Sequence, residues 1–174
     1  MDRDLEKKTV KLTGNVQLVF QGQHLSCDRA LIDLKNQKIQ AEGNVILTDE
    51  KVHVEGERVE FNYKQNLGFI YNGFVQSGQV VFEGEVIEKV DKNRYLATNG
   101  EYTACETCPA GWSFSGRKID AELGGYARIR RPVFHIAGVP VLILPSIIVP
   151  LKSARQSGFL VPSPDHSRKR GVAL

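Results

Sequence analysis

Apolar and polar residues alternate along most of this chain with a period of two. Val16, Leu18 and Phe20 are separated by Gln17 and Val19, and Ala30, Ile32 and Leu34 by Leu31 and Asp33. Val52 and Val54 alternate with Lys51, His53 and Glu55, and Val59, Phe61 and Tyr63 with Arg58, Glu60 and Asn62. Successive side chains of a strand point to opposite faces, so this period predicts half-buried strands. Helical spacing of three and four fits none of the runs. Turn formers separate them: Gln21-Gly-Gln23, Lys35-Asn-Gln37, Thr48-Asp-Glu50, Lys64-Gln-Asn66 and Ser77-Gly-Gln79. The expectation is an antiparallel or coiling β stack with strands of about five residues.

The strands recur in modules. Gly14-Asn-Val16, Gly43-Asn-Val45 and Gly73-Phe-Val75 open matching segments 29 and 30 residues apart. Asp28-Arg-Ala-Leu-Ile-Asp-Leu34 returns 29 residues later as Glu57-Arg-Val-Glu-Phe-Asn-Tyr63, and Phe82-Glu-Gly-Glu-Val86 echoes Val54-Glu-Gly-Glu-Arg58. A fixed period of this size signals stacked units that bury a continuous face. The alternation places Val16, Leu18, Phe20, Ile32, Leu34, Val45, Leu47, Val54, Phe61, Tyr63, Phe69 and Phe82 along one inner wall. Two such walls packed tightly are a core. Splayed, they form a groove that shields acyl chains from water at about 0.8 kcal/mol per methylene. The period alone fits both.

From about Leu123 the composition changes. Gly124-Gly125 is a break, Tyr126 to Ile136 predicts a strand pair, and a proline-bounded apolar run follows, Val139 to Val149, interrupted by Pro140 and Pro145. It is too short for a membrane helix. Gly171-Val-Ala-Leu174 looks like the start of a further strand. The opening residues, Met1 to Lys8, lack the apolar centre of a secretory signal, which leaves a cytoplasmic protein or one whose leader has been removed.

With 41% hydrophobic and 25% charged residues, the chain has the composition of a folded protein. The net charge is +3, with basic residues gathered at Arg128, Arg130 and Arg131 and from Lys152 to Arg170. No nucleic-acid motif accompanies them, so a solvated basic face or a negatively charged partner is expected. Cys105-Glu-Thr-Cys108 is the one conspicuous motif. Strands rather than a βαβ unit surround it, and Cys27 and the scattered histidines lack zinc-ligand spacing, so structural disulfide chemistry outranks redox or metal roles. Glu55, Glu57, Glu60, Glu83, Glu85 and Glu88 alternate with apolar residues and are expected outside, which disfavours a glycosidase pair. No nucleophile elbow, phosphate loop or HExxH is present, so neither an enzyme nor a cofactor is expected.

Two stretches carry a family resemblance. Gly-Asn-Val with the following Asp/Glu-Arg-x-x-Ile/Phe-Asp/Asn resembles the OstA-type repeat of lipopolysaccharide-transport proteins. Val133 to Pro150, followed by Arg155-Gln-Ser-Gly-Phe-Leu-Val-Pro162, resembles the junction segment of the LptD family, and Tyr102 to Cys105 with Trp112 to Ser115 is similar to its cysteine-then-tryptophan segment. The resemblance implies an all-β, folded-over sheet (a β-taco or jelly roll) over residues 9–137. Over 138–174 it implies an irregular junction and the start of an outer-membrane barrel. It implies a non-catalytic role: lipopolysaccharide received at the N-terminal sheet edge from an LptA-type bridge, and acyl chains carried along the inner wall. Delivery would be to a barrel plugged by an LptE-type lipoprotein, at the periplasm and outer membrane of a Gram-negative cell. Pro140, Leu144, Pro145, Pro150, Gly158 and Phe159 would form the junction or gate, and Arg130 and Arg131 would attract lipid phosphates. Cys27, Cys105 and Cys108 match the family's disulfide positions, with two cysteines where some relatives have one. The alternatives are a stand-alone LptA-like bridge, a β-solenoid enzyme acting on polysaccharide, and an adhesin-like structural stack.

Overall fold

The computed structural model describes residues 2–4, 8–20, 22–104, 111–151, 165–167 and 171–173. Every regular element among them is a strand: β1 (Asp2–Asp4), β2 (Thr9–Phe20), β3 (Gln23–Asp33), β4 (Lys38–Thr48), β5 (His53–Asn62), β6 (Leu67–Ser77), β7 (Val80–Lys89), β8 (Arg94–Thr103) and β9 (Trp112–Glu122). The shorter strands β10 (Tyr126–Arg130), β11 (Val133–Ile136), β12 (Val139–Ile143) and β13 (Ser146–Pro150) follow. β1 to β13 form one antiparallel sheet in which β1 to β10 pair in chain order. β14 (Asp165–Ser167) and β15 (Gly171–Ala173) form a separate hairpin. The sheet does not close on itself, and it runs without interruption past residue 137 to Pro150.

Strands β2 to β9 are ten to twelve residues long, about twice the expected length, because the repeated Gly-Asn motif lies inside strands rather than between them. Each strand is creased near its middle, and the creases line up across the sheet. In β2 and β4 the crease is a Gly-Asn pair in left-handed conformation, with φ +82° and +43° at Gly14-Asn15 and +77° and +46° at Gly43-Asn44. In β6 and β8 it is Asn72 (φ +45°) and Asn99 (φ +46°). Asparagine tolerates this region better than most residues because its short amide finds a local partner. That partner is the carboxylate of the preceding strand: Asn44 Nδ2 donates to Asp28 Oδ2 at 3.2 Å, Asn72 Nδ2 to Glu57 Oε2 at 2.8 Å, and Asn99 Nδ2 to Glu85 Oε2 at 2.8 Å. The two repeated motifs, Gly-Asn and Asp/Glu-Arg, are therefore the two sides of one crease.

Side-chain parity shifts by one at the crease, which is a β-bulge in the pairings of β2 to β5, so that two consecutive residues face outward in β3 (Asp28-Arg29), β5 (Glu57-Arg58) and β8 (Thr98-Asn99). Parity recovers on the far side, and apolar side chains face inward on both halves of every strand. Glycines fill the inner position at the crease from β5 onward. Gly56, Gly73, Gly84, Gly100 and Gly116 stand in register, and a Cβ at Gly73 would collide with the carbonyl oxygen of Glu55 and the Cα of Gly56. The strands could not approach there with larger residues.

The crease divides the sheet into two walls. On wall A one inward row runs Leu18, Leu25, Leu47, Val54, Val75, Phe82, Tyr102, Phe114, Phe134, Leu142. On wall B the matching row runs Leu12, Ala30, Ala41, Val59, Ile70, Ile87, Ala97, Ile119, Ile129, Ile147. Neither row contains a charged residue. The walls touch through side chains, as in the stacking of Phe20 on Phe61 (ring centroids 5.3 Å apart) and the tilted contact of Phe82 with Tyr95 (5.6 Å).

At the C-terminal end β10 and β11 are two halves of one creased strand, pairing with opposite ends of β9. Arg131 (φ +48°) and Pro132 form the crease, and Leu144 with Pro145 faces them on the returning strand. Leu144 N donates to Pro132 O at 2.9 Å and Arg131 N to Pro145 O at 3.0 Å. Pro140, beside a β-bulge, and Pro150 lie on the edge strands β12 and β13, where proline is tolerated, so the proline-bounded apolar run is the outer strand of an edge hairpin folded along the same line as the body.

Candidate functional site: the interior between two walls

The interior is apolar and closed. Ala41, Val75, Phe82, Ile87 and Ile129 are fully buried, and the void where Leu47 and Val54 of wall A approach Phe61 and Ile70 of wall B is about 40 Å³. A lipid-sized ligand needs about 300 Å³ or more, so an acyl chain enters only if the walls part.

Of the twelve expected inner-wall residues, Val16, Val45, Val54, Phe61 and Phe82 are buried in this interior, and Leu18, Phe20, Ile32, Leu47 and Tyr63 pack against it. Two are elsewhere. Leu34 follows the end of β3, in the turn to β4, and is 45% exposed. Phe69 pairs with Glu60 and Glu88 on the outer face and is 39% exposed, because its neighbours Gly68 and Ile70 hold the inward parity. The expected wall also missed most of wall B. Ala30, Ala41, Val59, Ile87, Ala97 and Ile119 line it, and small or isolated apolar residues flanking the crease were the available signal.

The expected outward carboxylates are outside. Glu57 and Glu85 hold the crease asparagines, Glu60 pairs with Arg58, and Glu55 with His53. Glu83 stands opposite Glu101, and burial, then the charge of Glu101, pushes its carboxyl above the usual range. Arg130 and Arg131 lie with Arg117 and Lys118 along a groove of the outer face. Of the junction residues, Pro140, Leu144, Pro145 and Pro150 lie on or beside the edge strands β12 and β13, while Gly158 and Phe159 lie outside the described residues, as do Cys105 and Cys108. Cys27 is a free thiol, 3% exposed, on the inner side of β3. Burial, then the charge of Asp28, raises its pKa, and Cys105 and Cys108, the other two expected disulfide positions, lie outside the described residues. Trp112 packs at the rim against Tyr102 and Phe114.

Among the described residues one interior side chain carries a charge. Lys89 pairs with Gly68 and Tyr95 on the inward row of wall B farthest from the crease, among Ile39, Phe61 and Ala121. Its ammonium donates to Asn66 Oδ1 at 3.0 Å, and burial lowers its pKa, against a smaller opposing effect of Asp49. Burial also pushes the Tyr95 phenol up to about 12, with Asp49 adding to the shift. Among the described residues no group of His, Cys, Asp and Glu could hold a metal ion.

A single antiparallel sheet, creased into two facing walls around an uncharged double row of side chains, defines a folded-over β protein whose chemistry is apolar contact. The chain belongs to the family described as LptA/(LptD N-terminal domain) LPS transport protein, which matches residues 1–95, just over half of its length. LPS-assembly protein LptD of Shewanella denitrificans is 28% identical over 171 residues, covering 96% of this chain and 22% of the relative. LptD of Xylella fastidiosa strain 9a5c is 30% identical over 168 residues, covering 94% of this chain and 21% of the relative. The chain thus spans about a fifth of the length of the curated relatives it matches.

Proposed function

We propose that this chain is a non-catalytic lipopolysaccharide-transport domain, which carries the acyl chains between its two walls toward an outer-membrane barrel formed by the rest of a longer protein. The observation that carries this reading is the pair of uncharged inward rows, continuous from β2 to the last hairpin. A row of this kind serves a sliding acyl chain equally at every strand, since apolar contact is non-directional and scales with area. Parting the walls exposes apolar surface that the incoming chain covers again, so the closed state keeps the path dry until lipid arrives.

The sheet edges support a direction. From Leu12 to Phe20 the outer side of β2 carries no strand among the described residues, and such an edge accepts a strand from a bridge protein of LptA type. The other end leads through the proline-creased hairpin, where a barrel and its LptE-type lipoprotein would follow, placing the chain in the periplasm at the outer membrane. The polysaccharide-enzyme alternative needs carboxylates in the groove, and those of the described strands face outward.

The test is photo-crosslinking in the full-length protein. A crosslinker at Phe61 or Ile70 is expected to capture lipopolysaccharide during transport, and one at Phe69, on the outer face of the same wall, is not. Equal capture inside and outside would defeat the conduit.

A further inference from the structure

The interior rows contain one anomaly, the ammonium of Lys89. Its position is at the mouth, the margin where the walls meet opposite the crease. Lys89 ends β7 on the margin of wall B, Asn66 lies in the β5–β6 turn of the same margin, and Asp49 lies in the β4–β5 turn on the margin of wall A. All three border the small cavity between the walls, together with Leu47, Phe61 and Tyr95. Among the described residues no carboxylate lies within ion-pair distance of the Lys89 ammonium, whose partners there are both uncharged: the amide of Asn66 and, 5.8 Å from its centroid, the face of the Tyr95 ring. Asp49 already accepts from the backbone N–H groups of Lys51 and Val52 at 2.8 Å each, which shapes its own turn.

We infer that Lys89 and Asn66 form an anion station at the mouth, placed to take the phosphate of an amphiphile whose acyl chain lies between the walls. The inference rests on the conduit reading and adds what that reading lacks, a point that registers the head of the lipid against its tail. A half-buried ammonium costs free energy unless an anion meets it, and a phosphate oxygen there replaces a neutral acceptor with a charged one. The lowered basicity of Lys89 agrees with a cation that lacks a close counterion. Apolar rows alone would let a lipid slide without preference for where its headgroup rests.

The test compares two probes of equal chain length on the purified chain, a monoacyl phosphate and the matching monoacylglycerol, both below their micelle concentrations. The wild type is expected to bind the phosphate about tenfold more tightly, the factor of roughly one charge-assisted hydrogen bond. Lys89→Met should remove that preference while leaving monoacylglycerol affinity unchanged, and Lys89→Arg should keep it. Unchanged preference in Lys89→Met overturns the station and leaves the conduit standing. Binding of neither probe by the wild type removes the conduit and the station with it. Inorganic phosphate alone should fail to displace the monoacyl phosphate at millimolar concentration. If it displaces it fully, the site is one for free phosphate and the lipid assignment falls. Should Lys89→Met not fold, judged by its far-ultraviolet spectrum, Lys89→Gln and Asn66→Leu carry the same comparison, each expected to weaken only the phosphate probe.

Discussion

Leu25 and Leu142 stand in the same inward row of wall A, with the six strands β4 to β9 lying between β3 and the hairpin of β11 and β12. Leu25 is 2% exposed and Leu142 is 52%. The residues are identical, and so are the backbone conformation and the row, so what differs is the far side. Leu25 lies in the part of wall A that wall B covers, whereas around Leu142 the neighbours Val139, Val141 and Ile143, on both faces of β12, are exposed as well. Alternation specifies which face of a strand is apolar, but burial requires a second surface, and in the last hairpin the folded sheet does not supply one. The body thus holds its apolar rows in a core, while β12 presents its apolar residues to solvent.

The largest expected effect breaks this comparison directly. Phe82→Ala should cost about 3–5 kcal/mol in urea unfolding, because a fully buried ring leaves a cavity between the walls, whereas Leu142→Ala should stay within about 0.5 kcal/mol. Equal losses would mean that β12 is covered after all.

A second measurement sharpens it at the mouth. The neutral Tyr95 phenol is favoured in the folded state, with a pKa of about 12 against an ordinary 10.0. The unfolded chain ionises first as pH rises, so the stability present below pH 10 is lost between pH 10 and about 12, to a limit of roughly 2.7 kcal/mol at 1.36 kcal/mol per unit. Lys89 acts with the opposite sign near that range: its folded pKa is lowered, so the unfolded chain holds the extra proton and stability rises with pH. Tyr95→Phe should therefore reduce the alkaline loss in pH-dependent denaturant titrations, leaving the part due to Tyr102 and Cys27, whose pKa values burial also raises. An undiminished loss in the variant would place its origin elsewhere.

The smallest expected effect concerns what the two regions share, the crease. Gly73→Ala should destabilise by about 1–3 kcal/mol, since the added carbon meets backbone of the adjoining strand rather than a movable side chain. A neutral outcome in thermal unfolding would mean that the strands separate at the crease without cost.

Much of this architecture was legible in the residues. Val54, Phe61 and Phe82 were assigned inward by parity alone and are buried, and the recurrence of Gly-Asn and Asp/Glu-Arg located the repeat correctly. Its meaning was not legible. Gly43-Asn44 opens a matching segment by its spacing, and because the same left-handed preference serves turns and bulges alike, only the ladder continuing on both sides places it inside a strand. Asn72 and Asn99 carry the crease where the repeat is weakest by residue type, and their carboxylate partners lie 15 and 14 residues away, beyond any local pattern. Phe69 is apolar but stands on the outer face, because Ile70 beside it keeps the inward register.

The residues alone specify that the chain forms strands and, within a strand, which side chains share a face. These follow from side-chain alternation and backbone preference, which act over a few residues. Only the tertiary structure decided that each strand crosses the crease and lines both walls, that the walls meet across a nearly void-free interior, that Lys89 rests at the mouth, and that the last hairpin stays uncovered. Those outcomes depend on register summed across the sheet and on what stands opposite each side chain, and neither is encoded in any one segment.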